Sequence, residues 1–251
     1  MTAPAPVLLI TGAGRGIGAA TARLAAARGW DVVVNYARDA AAAEGVAADV
    51  RRAGRRAIAV AADVADEPAV LAMFARIDAE VGPLSGLVNN AGIVAMKARL
   101  EEMSVERWQR MWAVNIGGSL LCAREAVRRM STRHGGGGGA IVNLSSVAAR
   151  LGAPGMYVDY AASKGAIDTF TQGLAQEVAA EGIRVNAVRP GIIDTDIHAA
   201  SGDRQRPQAA AATIPMQRPG TADEIAAAIV WLLSAEASYT TGAILDVGGG
   251  R

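Results

Sequence analysis

The sequence predicts an α/β fold of the doubly wound type, one seven-stranded parallel sheet with helices on both faces. Three observations predict it. Seven short aliphatic or β-branched runs alternate with alanine-rich stretches of helical length, and such alternation implies right-handed crossovers and parallel pairing. Most runs hold a continuous apolar stretch, such as "VLLI" and "VVV", instead of alternating with polar residues, as strands covered on both faces do. The first run passes directly into a glycine-rich turn and then a helical pattern, "VLLITGAGRGIGAATARLAAARG", the way such sheets open.

In chain order, the strands are "VLLIT" (7–11), "DVVVN" (31–35), "AIAVAA" (57–62), "GLVNN" (86–90), "AIVNLS" (140–145), "IRVNAV" (183–188) and "AILDV" (243–247). Helical patterns include "AATARLAAARG" after the glycine turn, "GGSLLCAREAVRRM" before the fifth strand and "YVDYAASKGAIDTFTQGLAQEVAAEG" (157–182) before the sixth. Two segments break the alternation. "HGGGGGA" (134–140) reads as a flexible spacer. The stretch 196–215, which contains "SGDRQRP" (201–207), has the small polar make-up of a lid over a site. No repeat or second domain is visible, so 1–251 reads as a single domain.

Composition narrows the function classes. A chain of 251 residues can bury one large α/β core. With 51% hydrophobic and 20% charged residues it is globular. A formal net charge of +1 leaves no global field for nucleic acid or an acidic membrane. The densest basic run, "RRAGRR" (51–56), reads as a solvated helix end and turn. The single cysteine, Cys122, rules out an internal disulfide and fits a reducing compartment; within "GGSLLCA" it reads as a buried structural thiol. The N-terminus lacks the basic region of a signal peptide, and no stretch approaches a membrane span. A soluble, cytoplasmic protein is expected. His134 and His198 fit no metal or triad position, so no metal is expected.

The motifs gather where the strands end. In "TGAGRGIG" (11–18) glycines allow a tight turn and close backbone approach to a ligand, and the following helix offers free N–H groups and a positive dipole end to a phosphate. Alone that turn is a weak signal. The fourth strand ends in "NNAG" (89–92), the fifth in "NLSS" (143–146), and the sixth leads to "RPGIIDT" (189–195). Turn chemistry alone does not explain four such exits at one edge. Tyr160 and Lys164 stand four apart in a helical run, hence on one face. The chain has only two lysines against 23 arginines, so the choice of Lys here is informative. A phenol titrates near 10; an adjacent ammonium favours the phenolate, and its compact charge can also donate to a ligand hydroxyl.

Together, TGxxxGxG, NNAG, a Ser before YxxxK and a PG turn ending in Thr resemble, in order and spacing, the short-chain dehydrogenase/reductase family over nearly the whole chain. The nearest branch resembles the bacterial 3-oxoacyl-reductases and sugar dehydrogenases. The resemblance implies a Rossmann fold and hydride transfer between a nicotinamide cofactor and a carbonyl or secondary alcohol. It implies Tyr160 as general acid or base, Lys164 lowering its pKa and holding the nicotinamide ribose, Ser146 bonding the substrate oxygen, and Asn115 holding a relay water. Gly12, Arg15, Ile17 and Gly18 would wrap the pyrophosphate. Asp63 and Val64 would meet the adenine, Asn90 and Ala91 the adenosine side, and Ile193 and Thr195 the nicotinamide amide. Ser146 precedes Tyr160 by fourteen residues, one more than in many relatives, which leaves Ser145 as a rival hydroxyl. Relatives pair the two long helices across a twofold axis, implying a dimer or tetramer, with Ile167, Phe170 and Leu174 as a stripe for the seam.

The second strand bears on the cofactor. Enzymes of this fold that use NAD place an acid at its end for the ribose 2′-hydroxyl. Here "VVVNYARD" carries Asn35 and Tyr36 instead, with Arg15 and Arg38 placed to receive a 2′-phosphate. NADP(H) is therefore expected to be preferred, with NAD(H) a weaker competitor through Asp39. A cofactor-binding sensor without turnover is the rival reading; it would lack one of Ser146, Tyr160 or Lys164, and all three are present.

Overall fold

The structure is a computed structural model that describes residues 5–195, 201–203 and 205–251. Seven strands form one sheet in the order β3-β2-β1-β4-β5-β6-β7: β1 (Val7–Ile10), β2 (Asp31–Tyr36), β3 (Ala57–Ala61), β4 (Leu84–Asn89), β5 (Gly139–Leu144), β6 (Ile183–Pro190) and β7 (Ile244–Val247). Every pairing is parallel. The order reverses between β1 and β4, which opens the crevice where sheets of this type bind ligands.

The central strands β1, β2, β4 and β5 are buried from both sides, as expected, while the edge strands β3 and β7 are only partly covered. Successive side chains point to opposite faces, so Leu8 and Ile10 join one core while Val7 and Leu9 join the other. The first core is closed by α1 (Gly16–Ala27), α2 (Ala40–Arg52) and the C-terminal α9 (Ala222–Leu233), with Ala22, Ala25, Val46, Ile225 and Ile229 at the contact. The second is closed by α3 (Glu67–Glu80), α5 (Gly118–Met130) and α7 (Val158–Val178), which contribute Phe74, Ile77, Cys122, Ala126 and Val178. Shorter helices are α4 (Val105–Trp112), α6 (Ala148–Leu151) and α8 (Arg206–Ala209). No helix among the described residues is long and apolar enough to cross a membrane.

Two expectations are revised. The "GGGGG" run is a packed turn and not a loose spacer: a Cβ at Gly136 would stand 2.3 Å from the Arg129 carbonyl oxygen, and one at Gly139 2.5 Å from that of Ser85. Glycine is needed there because backbone passes against backbone. The basic run is the expected solvated helix end and turn, with Arg51, Arg52 and Arg56 exposed; in addition Arg55 and Arg56 lie 2.7 and 2.8 Å from the buried carboxylate of Asp31 and clamp the turn onto β2. In α7, Ile167 is buried and Phe170 and Leu174 pack against the second core, so that stripe mainly serves its own sheet. Of the expected lid, 196–200 and 204 lie outside the described residues. The rest contains α8 and a short 3-10 turn, Ala211–Thr213.

Candidate active site

The exit of β1 is held open by its neighbours. Gly12 and Gly16 take left-handed backbone angles, φ +61° and +55°. Gly12 N–H donates to the Asn35 side-chain oxygen at 3.1 Å, while the Asn35 amide donates to the Ala62 carbonyl at 3.0 Å. Asn35 is thus turned into the sheet and braces the glycine turn, instead of facing outward from the tip of β2. Thr11, which the sequence did not single out, accepts from the N–H groups of Asn90 and Ala91 at 3.0 and 2.9 Å. Asn90 returns its amide to the Thr11 and Gly12 carbonyls at 2.8 and 3.0 Å. A Cβ at Gly18 would fall 2.6 Å from that same amide nitrogen. Side chains are excluded from this turn by measurable crowding.

Beyond the turn, α1 begins with Arg15 at its N-cap, without a capping side-chain bond and without an acid in the first turn. Its leading N–H groups are left for an anion. Ile17 packs against the first core, and Thr195 lies beside the Gly16 backbone, 3.5 Å from where a Cβ would sit.

 Ile193 pairs with Gly220 in an isolated parallel bridge, which folds this segment back over the glycine turn. Asp63 accepts from Ala65 N–H at 3.0 Å and from Arg110 at 2.6 Å. Burial works against its charge, but those two bonds and the charges of Arg110 and Arg38 prevail and hold its carboxyl below the usual range. Val64 is buried against Gly118 at the start of α5. Arg38 is exposed at the rim, whereas Asp39 is occupied as the cap of α2, accepting from Ala42 N–H at 3.0 Å.

The second half of the site lies at the ends of β4 and β5. Asn115 sits in a π-helical turn, Ala113–Gly117, between α4 and α5; such turns inside helices are frequent at functional sites. Its side chain accepts from Ile93 N–H at 2.8 Å and donates to the Ile93 carbonyl and the Ser163 hydroxyl at 3.0 and 3.1 Å. Lys164 donates to the Leu144 carbonyl at 2.6 Å. A Cβ at Gly92 would lie 3.5 Å from the Asn115 side-chain oxygen and 3.6 Å from Lys164 Nζ, so both polar groups converge on one glycine.

Tyr160 stands one turn before Lys164, whose ammonium lies 5.7 Å from the centre of its ring. Of the two candidate serines, Ser145 is buried and donates to the Lys164 carbonyl at 3.2 Å, whereas Ser146 accepts from Ala148 N–H at 3.1 Å and stands close enough to Tyr160 to favour its phenolate. Burial pushes the Tyr160 phenol up to about 12, with Ser146 pulling the other way and Tyr157 adding to the rise. Burial also lowers Lys164 to about 8, opposed by Asp168. In the protein alone, burial is the largest influence on the phenol.

Sequence reasoning missed the pair that fixes this helix. Asp159 is buried and takes a two-pronged bond from Arg107, at 2.7 and 3.1 Å, tying α4 to the first turn of α7. An acid next to Tyr160 in a run of small residues was the available signal.

A family model described as enoyl-(acyl carrier protein) reductase, of the short-chain alcohol dehydrogenase type, matches residues 12–251. The chain is 54% identical over 245 residues to the uncharacterized oxidoreductase YgfF of Escherichia coli, covering 98% of this chain and 99% of that protein. It is 44% identical to cis-4-hydroxycyclohexanecarboxylate dehydrogenase of Sinomonas cyclohexanicum, over 97% of this chain and 95% of that one. A short-chain dehydrogenase of Burkholderia cenocepacia, solved in complex with NADP, superposes with a TM-score of 0.90 at 34% identity, covering 98% of both chains. The likeness runs through the whole sheet and both halves of the site, and this chain belongs to the short-chain dehydrogenase/reductase family of oxidoreductases.

Proposed function

We propose that this oxidoreductase interconverts a carbonyl compound and its secondary alcohol, with NADP(H) as hydride carrier and Tyr160 as general acid or base. The observation that carries the reading is the grouping of Ser146, Tyr160, Lys164 and Asn115 around the ends of β4 and β5, next to a glycine turn that excludes side chains. The uncapped start of α1 and the cradle at Gly18 suit a pyrophosphate. When bound, the nicotinamide supplies or takes up the hydride.

In the reductive direction Tyr160 gives its phenolic proton to the carbonyl oxygen, and Ser146 holds that oxygen by a hydrogen bond. Lys164, through its ammonium, opposes the charge that develops on the phenol. Asn115 is fixed by both backbone groups of Ile93, which orients it to hold a water against Lys164. For the cofactor, no carboxylate side chain ends β2, Asn35 and Asp39 are engaged elsewhere, and Arg15 and Arg38 are exposed at the rim. NADP bound to the Burkholderia relative supports the same preference. The buried Cys122 thiol, pushed up to about 12 by burial and by Glu125, is inert and consistent with a cytoplasmic protein.

One variant tests both halves. Tyr160→Phe should lose about 10²–10⁴-fold in turnover of aldehydes and ketones, yet still bind NADPH more tightly than NADH by about tenfold in a fluorescence titration. Near-normal turnover would end the proposed mechanism, and tighter NADH binding would end the NADP(H) preference.

A further inference from the structure

Arg206 opens α8, close to the proposed proton donor. Its guanidinium carbon lies 5.2 Å from the centre of the Tyr157 ring. That ring meets Tyr160 edge-on with centres 6.1 Å apart. These two contacts keep the guanidinium within roughly 11 Å of the Tyr160 ring, with an aromatic face beneath it. Arginines elsewhere in the fold close ion pairs: Arg107 with Asp159, Arg189 with Asp168, Arg218 with Glu224. Arg206 closes none among the described residues; beyond the Tyr157 ring its side chain meets only the Met156 sulfur, at 3.5 Å.

Arg206 and Arg251 line an open cavity of about 250 Å³, whose other walls include the small side chains of Ala209 and Ala210 and the hydroxyl residue Thr213. The acidic groups there are engaged elsewhere, Asp203 with Lys97 at 2.5 Å and the main-chain oxygen of Arg251 with Arg150, so neither is paired with Arg206. Burial raises the Tyr157 phenol, and the charges of Arg206 and Arg251 act against that rise while Asp203 adds to it. The Arg206 guanidinium thus lies against the ring that touches Tyr160, with the charge of Arg251 felt there as well.

We infer that the cavity is a subsite for an anionic group of the substrate: a carboxylate, remote from the reacting carbonyl, received by Arg206 with Arg251 beside it. The inference rests on Tyr160 marking the reacting carbon. A planar guanidinium can grip a carboxylate through two parallel bonds, and resting on Tyr157 costs it little freedom. The substrate class is an oxo acid or the corresponding hydroxy acid, in preference to a neutral ketone of the same skeleton.

Calorimetry on the protein saturated with NADP+ tests this without turnover. The probes are levulinate, its homologues longer by two and by four methylenes, and the methyl ester of each. At least one acid should bind about tenfold or more tightly than its ester, as a charge-assisted bond predicts. Arg206→Gln should erase that preference, Arg206→Lys should keep part of it, and Arg251→Gln should reduce it, with melting temperatures unchanged in all three. Acids that bind no tighter than esters, or a preference that survives Arg206→Gln, would overturn the subsite. Tyr160→Phe separates the two readings. An active Phe variant that still prefers the acid sinks the Tyr160 mechanism alone, whereas an inactive one without acid preference sinks the subsite.

Discussion

Burial moves the proton affinities of Tyr160 and Lys164 in opposite directions, the phenol up to about 12 and the ammonium down to about 8. Each shift favours the neutral form, as desolvation must. The consequence for carbonyl reduction follows from the signs. Tyr160 keeps its proton across the neutral range and remains able to donate it. Lys164 is charged below about pH 8 and loses its charge as pH rises through that value, so its opposition to the developing phenolate fades on the alkaline side. The turnover number for reduction, measured at saturating substrate and cofactor, should therefore be level below neutrality and fall through about pH 8. In Lys164→Met it should be low throughout and lack that limb. A limb at the same place in the Met variant would assign it to another group.

Each polar residue of the site is delivered by the end of an element, and the elements differ in how far the sequence revealed them. The strand exits were legible because the runs of β1, β4 and β5 end in the glycine-rich or polar boundaries "TGAG", "NNAG" and "NLSS". The tyrosine–lysine face of α7 was legible because helical spacing is fixed. The π-helical turn that aims Asn115 was not, since it arises from tertiary bonds to Ile93 and Ser163 and leaves no local pattern. Nor was the true work of Asn35, which the fold spends on bracing Gly12. The Asp159–Arg107 clamp belongs here too: it joins residues 52 positions apart. Arg107 is only 14% exposed and Asp159 1%, so Asp159→Ala would strand a largely buried cation. Breaking such a pair costs about 3–5 kcal/mol. The urea midpoint should drop markedly in Asp159→Ala and hold in Tyr160→Phe. Equal midpoints would show that α7 is anchored by its apolar face alone.

At the scale of the whole molecule, one flank carries several exposed apolar side chains. Val105 and Trp112 on α4 and Leu120 on α5 are 52%, 43% and 41% exposed. Trp108 stacks on Trp112 with ring centres 6.4 Å apart, and its buried indole N–H has no hydrogen-bond partner among the described residues. These side chains sit on two helices joined directly through the π-helical turn, and contiguous patches of this kind mark association surfaces. A second copy of the chain is the occupant that the proposed oligomer requires, because a twofold seam brings the same surface to itself. The seam would lie on α4 and α5, with α7 contributing less than its sequence suggested, since Ile167 is spent on the core. Light scattering at micromolar concentration should give at least twice the 25.6 kDa of one chain. Leu120→Glu, which places an unpaired charge in that seam, should shift the mass toward one chain while leaving the sheet's circular dichroism intact. A single-chain mass for the wild type would overturn the oligomer, and an unshifted mass for Leu120→Glu would move the seam to another face.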